Sequence, residues 1–130
     1  MSSKDKERLT SFFGEESEVK GEFVAKGILR VDGRVTGKIE ADQVILSKTA
    51  FMQGDILAKS IIVDGKVEGN LRAADLLEIK AEGKVKGEIF TQKLSIEDGA
   101  EFNGRIEMNG IDSKVLDYKS INQESALKEA

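Results

Sequence analysis

The stretch ILRVDGRVTGKI, residues 28–39, contains a glycine-centred unit: apolar residues stand two positions before and two positions after Gly37. This unit occurs six times along the chain, and the central glycines are 16, 17, 15, 18 and 17 residues apart. The six units are Val19–Phe23, Val35–Ile39, Met52–Ile56, Val67–Leu71, Val85–Ile89 and Phe102–Ile106. A near-constant period indicates that one supersecondary unit stacks on copies of itself.

The residues around each unit favour strands over helices. Apolar residues at even offsets predict strands with one buried face. Two or more glycines per repeat and many β-branched residues disfavour helix, and repeats of 15–18 residues are shorter than the about 34 residues of a two-helix unit. Small residues stand four positions before each central glycine, where we expect turns. We therefore predict an all-β, single-stranded parallel β-helix of about six coils.

Large apolar residues also stand eight positions before each central glycine. They are Phe13, Leu29, Leu46, Ile61, Ile79 and Ile96. We expect these residues to form one column of the core. Spacing varies after this column: two residues separate Ala58 from Ile61, but five separate Ala73 from Ile79. We therefore expect a single corner to absorb the changes in repeat length, because a one-residue slip within a strand would turn its apolar side outward.

The composition narrows the function classes. The chain has 130 residues, room for one domain, and its 24 acidic and 20 basic residues are mixed throughout, with a net charge of −4. That balance does not indicate nucleic-acid binding. The absence of cysteine excludes disulfides and thiolate metal sites. The absence of histidine removes the usual general base and the commonest metal ligand. No apolar run approaches a membrane span and no secretory signal is present, so we expect a cytoplasmic protein.

No motif in the sequence carries recognisable reaction chemistry. The carboxylate pairs Glu15–Glu16 and Glu97–Asp98 are best explained as solvated turn residues. The glycine-rich segment 33–37 lacks the Gly-Lys-Ser/Thr ending of a phosphate-binding loop. We therefore predict that the protein is not an enzyme, with no catalytic, cofactor-binding or metal-binding residues and no bound nucleotide.

The two ends of such a solenoid expose unpaired strand edges and a layer of apolar side chains. Proteins usually cover such edges, and stacking two ends together continues the ladder and buries both layers. We therefore predict end-to-end self-assembly. The alternative is a small capped β-helix, monomeric or oligomeric, that acts as an adaptor for a protein partner. The terminal-coil residues predicted to make the polymerisation contact are Val19, Phe23, Phe102, Ile106 and Met108.

Polar segments flank the repeats. We expect residues 1–12 to be a flexible N-terminal tail, residues 13–108 the β-helix domain, and residues 109–130 a flexible C-terminal tail. Leu9, Phe12 and Phe13 lie beside basic residues, so they either contact the inner membrane surface or cap the first coil. Apolar residues at outward positions offer a lateral surface. These residues are Val24, Leu57 and Phe90, and Phe51 on the other side of its glycine.

The phrase Asp-Gly-x-Val-x-Gly-x-Ile/Leu, present in residues 28–39 and 62–71, resembles the bactofilin family. The resemblance covers some 90 of 130 residues, from Val19 to Met108. It implies a right-handed, triangular β-helix that polymerises without nucleotide into apolar bacterial filaments, meaning filaments without direction. It also implies a homopolymer that scaffolds cell-shape, cell-wall or motility machinery, with those proteins as partners. An N-terminal segment that attaches the filaments to the membrane is a further implied feature.

Overall fold

The computed structural model describes the backbone of residues 9–108 and 115–118 and the side chains of residues 11–108. Within these ranges the chain forms ten strands and no helix. The strands are β1 (Leu9–Phe13), β2 (Glu18–Val24), β3 (Ile28–Val31), β4 (Arg34–Glu40), β5 (Gln43–Leu46), β6 (Phe51–Val63), β7 (Lys66–Ile79), β8 (Lys84–Ile96), β9 (Glu101–Met108) and β10 (Val115–Tyr118).

Strands from successive repeats pair in parallel, which confirms a β-solenoid of about six coils. One series of pairs joins β2, β4, β6, β7, β8 and β9, and the central glycines of all six repeats lie in register along it. A second series joins β1, β3 and β5 to the later halves of β6, β7 and β8. The right hand and triangular section implied by the resemblance stay predictions.

Aliphatic side chains stacked from coil to coil form the core. The residues two before and two after each central glycine make two inward columns, and in the second to sixth coils all of them are buried. Burial of each large side chain stabilises the fold by about 1.5–3 kcal/mol. The first coil is less enclosed, because Val19 and Phe23 are only partly buried against the same core. The core therefore thins toward the N-terminal end.

The central glycines lie inside the strands, where the backbones of successive coils approach closely. Their φ angles lie between 132° and 143°, a region that residues with a β-carbon rarely adopt. A β-carbon on Gly54 would also overlap the carbonyl oxygen of Gly37 one coil earlier, and the same overlap recurs at each later coil. Both the φ angle and the lack of room for a β-carbon therefore require glycine at this position.

The core column predicted eight residues before each glycine is wrong. Its members divide between two neighbouring columns in the structure. One column contains Phe13, Val31, Leu46, Val63, Ile79 and Ile96. The other contains Leu29, Val44, Ile61, Leu77 and Leu94. The two columns are two residues apart along each strand, so both point inward, and a count from the glycine confuses one with the other.

Two corners, not one, absorb the variation in repeat length. The corner after the column of Val31 and Leu46 has either two residues, as in Asp32–Gly33, or four, as in Ser47–Ala50. The corner after Glu40 and its equivalents has two or three residues, and the ladder shows its irregularity there. An insertion of two residues preserves which side chains point inward, so the longer corner changes length without disturbing the core.

The ladder extends beyond both predicted domain limits. At the N-terminal side β1 begins at Leu9 rather than at residue 13, and it pairs in parallel with β3. At the C-terminal side β10 runs antiparallel to β9, with Val115 opposite Glu107 and Tyr118 opposite Gly104. Residues 9–12 and 115–118 therefore belong to the sheet, in contrast to the flexible tails expected for them. The rest of the two predicted tails lies outside the described residues.

Candidate assembly surfaces

The N-terminal coil presents an open strand edge and a layer of apolar side chains. Among the described residues, β1 pairs only with β3 and β2 only with β4, so each has one free edge. Phe13, Val19 and Phe23 are partly buried against the core. The rings of Phe13 and Phe23 meet edge to face, with centroids 5.2 Å apart. This layer consists of apolar residues like those of the core, and the role of Val19 and Phe23 as a polymerisation contact stays a prediction.

Gly21 marks the same end. Its φ of 135° equals that of Gly54. Among the described residues, a β-carbon added at Gly21 would meet nothing nearer than the Phe23 ring at 3.8 Å, because none of them forms an earlier coil beneath it. The glycine ladder thus ends in open space on this side, which leaves room for another layer.

The C-terminal end is more closed than expected. Phe102 and Ile106 are both 0% exposed, whereas Met108 is partly buried. Strand β10 occupies the outer edge of β9 from Gly104 to Glu107. The prediction that Phe102 and Ile106 offer an exposed stacking layer is therefore wrong for a single chain, since both side chains are already enclosed.

The aromatic pair near the N-terminus divides between two environments. Phe13 contributes to the core, whereas Phe12 is 52% exposed with the Arg30 guanidinium 6.0 Å above its ring. Leu9 lies in β1 opposite Ile28, and its side chain is outside the described part. Phe13 thus covers the first coil, and Phe12 remains available on the outer surface. None of the described segments contains a helix with the length and hydropathy of a membrane span.

Three of the four predicted lateral residues share one face. Val24, Leu57 and Phe90 lie in one outward column, alternating with Glu40, Arg72 and Glu107. We call this column the Leu57 face. Val24 is 77% exposed and Leu57 48%, while Arg72 lies over the Phe90 ring at 5.2 Å. A shallow groove of about 730 Å³ runs along this face. Phe51 lies on a different face, under the Arg34 guanidinium at 5.4 Å.

A third face carries apolar residues that counting from the glycines missed. The outward side chains of its middle four coils come from β3, β5 and the later halves of β6 and β7. They are Ile28, Arg30, Asp32, Gln43, Ile45, Ser47, Ser60, Ile62, Asp64, Leu76, Glu78 and Lys80. We call this surface the Ile45 face. The signal was present in the sequence, since Ile45 and Ile62 each lie between two inward apolar residues.

Ion pairs fix the charged rows of the Ile45 face. The Arg30 Nε donates to Asp32 Oδ1 at 2.9 Å, and this hydrogen bond holds the pKa of the Asp32 carboxyl below its usual value. Lys80 Nζ lies 3.5 Å from Glu78 Oε2 and 3.3 Å from Glu97 Oε2. The hydrogen bond to Glu97, with the charges of both carboxylates, raises the pKa of Lys80. These exposed pairs orient the side chains more than they stabilise the fold.

The carboxylates considered for acid–base chemistry lie in turns. Glu97 accepts hydrogen bonds from Lys80 Nζ and from the backbone N–H of Ala81, while Glu15 and Glu16 are exposed in the corner after β1. Within residues 11–108, no acidic side chains are grouped as metal ligands. The described residues therefore form a β-solenoid whose candidate functional features are its ends and its outer faces.

Comparison with known proteins specifies this class. The family model for bactofilins, described as polymer-forming cytoskeletal, matches residues 11–107. Bactofilin BacP of Myxococcus xanthus (strain DK1622) is 30% identical over 95 residues, 72% of this chain and 40% of BacP. Bactofilin BacO of the same organism is 30% identical over 92 residues, 70% of this chain and 73% of BacO. The present chain therefore spans less than half the length of BacP.

A solved structure agrees with the fold. The protein in a cryo-EM reconstruction of Thermus thermophilus bactofilin double helical filaments matches with a TM-score of 0.70 and 27% identity. The match covers 76% of this chain and 99% of that one. The chain belongs to the bactofilin family of polymer-forming cytoskeletal proteins.

Proposed function

We propose that this protein assembles end to end, without nucleotide, into apolar filaments that scaffold cell-shape, cell-wall or motility machinery. The observation that carries the proposal is the N-terminal coil, where β1 and β2 each have an edge that no other described strand pairs and where Phe13, Val19 and Phe23 are partly buried. Unpaired strand edges and exposed apolar layers favour association with another surface that covers them. A second N-terminal coil covers both and continues the hydrogen-bonded ladder.

The C-terminal end takes a different role in this proposal. Because Phe102 and Ile106 are enclosed, contact at that end uses Met108 and the edge of β9 that precedes Gly104. If N-terminal ends bind only N-terminal ends and C-terminal ends bind only C-terminal ends, the resulting filament has no direction. The filaments lie in the cytoplasm, and Leu9 and Phe12 offer the contact to the inner membrane surface, with cell-wall or motility proteins as further partners.

The test is negative-stain electron microscopy of the purified chain without nucleotide or metal, together with a charged variant of the open coil. Val19→Arg places a charge in the end layer and should abolish filaments. Glu22→Arg, in the same strand but on the outward column, serves as the matched control and should keep them. Both variants should retain the β-sheet circular dichroism. Filaments in Val19→Arg would exclude the N-terminal coil as a contact, and small particles in the parent protein would favour the capped adaptor.

A further inference from the structure

The Ile45 face has an internal symmetry. Its middle four coils contribute one row each, and the rows read apolar–positive–negative at Ile28, Arg30 and Asp32 but apolar–negative–positive at Leu76, Glu78 and Lys80. The two rows between them each place an isoleucine at the centre, flanked by small or polar residues. If the order of the four rows is reversed, the first row therefore comes opposite the fourth and the second opposite the third, and the charges in the outer rows are opposite in sign.

A second copy turned by 180° about an axis along the strands, passing between Ile45 and Ile62, pairs the four middle rows with one another. Such a rotation keeps each column facing itself and reverses the order of the coils. The facing pairs are Ile28 with Leu76, Arg30 with Glu78, Asp32 with Lys80, Gln43 with Ser60, Ile45 with Ile62, and Ser47 with Asp64. Each apolar residue meets an apolar one, Arg30 and Asp32 meet opposite charges, and Asp64 faces the hydroxyl of Ser47. Such matching is what a self-complementary two-fold contact requires.

The Leu57 face lacks this property. With the axis between Leu57 and Arg72, these two residues face each other and Glu40 faces Phe90. With the axis between Glu40 and Leu57, these two face each other and Val24 faces Arg72. If the axis is moved to Leu57 itself, the neighbouring column places Asp55 against its own copy. Self-complementarity therefore favours the Ile45 face over the Leu57 face predicted from the sequence.

The size of the Ile45 face indicates when the contact forms. Four coils at about 4.8 Å and five residues at about 3.3 Å give roughly 300 Å² per copy. A stable pair of free proteins buries about 1,200 Å² or more in total, so two isolated subunits would associate weakly. Subunits joined in a filament repeat the contact at every step, and multivalency raises the combined affinity.

We propose that the Ile45 face is the lateral contact between two filaments of this chain, with subunits in opposite orientation across it. The inference rests on the proposed end-to-end assembly. Lateral pairing is consistent with the related Thermus thermophilus bactofilin filaments, which are double helical. The pairing of Arg30 with Glu78 and of Ile28 with Leu76 is specific to the two-fold geometry argued above.

Cysteine cross-linking tests this register, because the native chain contains no cysteine. Ile28→Cys and Leu76→Cys are made as separate variants and mixed before assembly. In the proposed contact the two cysteines face each other only in the mixture. In either variant alone they are three coils apart, about 14 Å, well beyond the about 7 Å between α-carbons that a disulfide can span. We expect oxidised dimer in the mixture and none above background in either variant alone.

Charge reversal gives an independent readout of the same contact by electron microscopy. Arg30→Glu and Glu78→Arg should each convert paired filaments into single ones, and the double variant should restore pairing because the opposite charges exchange places. Lys66→Glu, an exposed charge on another face, is the matched control and should keep the pairs.

The outcomes separate the two proposals. Single filaments in every sample without cross-linking would reject the lateral contact and leave end-to-end assembly intact. Cross-linking within one variant alone would reject the two-fold register. A face covered by the chain's own terminal segments would also give no cross-linking, and this too counts against a second copy. Absence of any filament would overturn the proposed function and the contact that depends on it.

Discussion

Replacement of Gly54 by alanine should destabilise the fold severely, and the structure supplies a matched comparison. Gly54 and Gly21 have the same φ, 135°. Forcing an alanine into such a conformation costs about 1–3 kcal/mol. At Gly54 the new β-carbon also overlaps the carbonyl oxygen of Gly37, whereas at Gly21 its nearest neighbour is a side-chain atom at 3.8 Å. Only Gly54→Ala must push two coils apart.

The difference between the two variants isolates the cost of that close approach. We expect Gly21→Ala to lose about 1–3 kcal/mol and Gly54→Ala more than about 4 kcal/mol, a large part of the about 5–15 kcal/mol that stabilises a typical domain. Urea unfolding followed by circular dichroism measures both, in the Val19→Arg background so that assembly does not add to stability. Equal losses of unfolding free energy in the two variants would refute the reasoning. The strain of the positive φ angle alone would then account for the glycines.

Three further predictions concern the ends and the charged surface. Phe102→Arg should unfold the chain rather than only block assembly, because Phe102 is 0% exposed; retained β-sheet circular dichroism would contradict this. Truncation after Met108 should uncover the β9 edge and lower the protein concentration at which assembly begins, as measured by light scattering. The lowered pKa of Asp32 adds stability that is present near neutral pH and is lost as the pH falls below its ordinary value of 3.8. Arg30→Ala should raise that pKa in an NMR titration, and an unchanged titration would exclude the Arg30 hydrogen bond as its cause.

The sequence predicted the part of the fold that depends on whether a residue stands at an even or an odd number of positions from the central glycine. Val35, Ile39 and their equivalents lie at fixed distances from the central glycines, so counting by two found the columns on either side of each glycine. Beyond the next corner the count failed, because corners of two and four residues both keep the apolar residues inward. Periodicity therefore reports which way a side chain points without reporting which column it joins.

The surfaces were harder to predict than the core. Burial of Phe102 depends on what surrounds the last coil. Strand β10 lies outside the repeat and pairs antiparallel with β9, so the repeat pattern does not predict it. Ile45 and Ile62 lie inside uninterrupted apolar runs, where inward and outward residues look alike by type. The symmetry of their face becomes visible only when the register of all coils is known.

The longer corner also offers a place to add new chemistry to the molecule. Asp32–Gly33 and Ser47–Ala50 show that this position accepts lengths differing by two residues while the strands on either side keep their partners. A short epitope or a fluorophore attachment sequence inserted there would stand away from both ends. Because Asp32 and Ser47 also belong to the Ile45 face, such a label would allow end-to-end assembly to be followed in living cells while leaving both ends untouched.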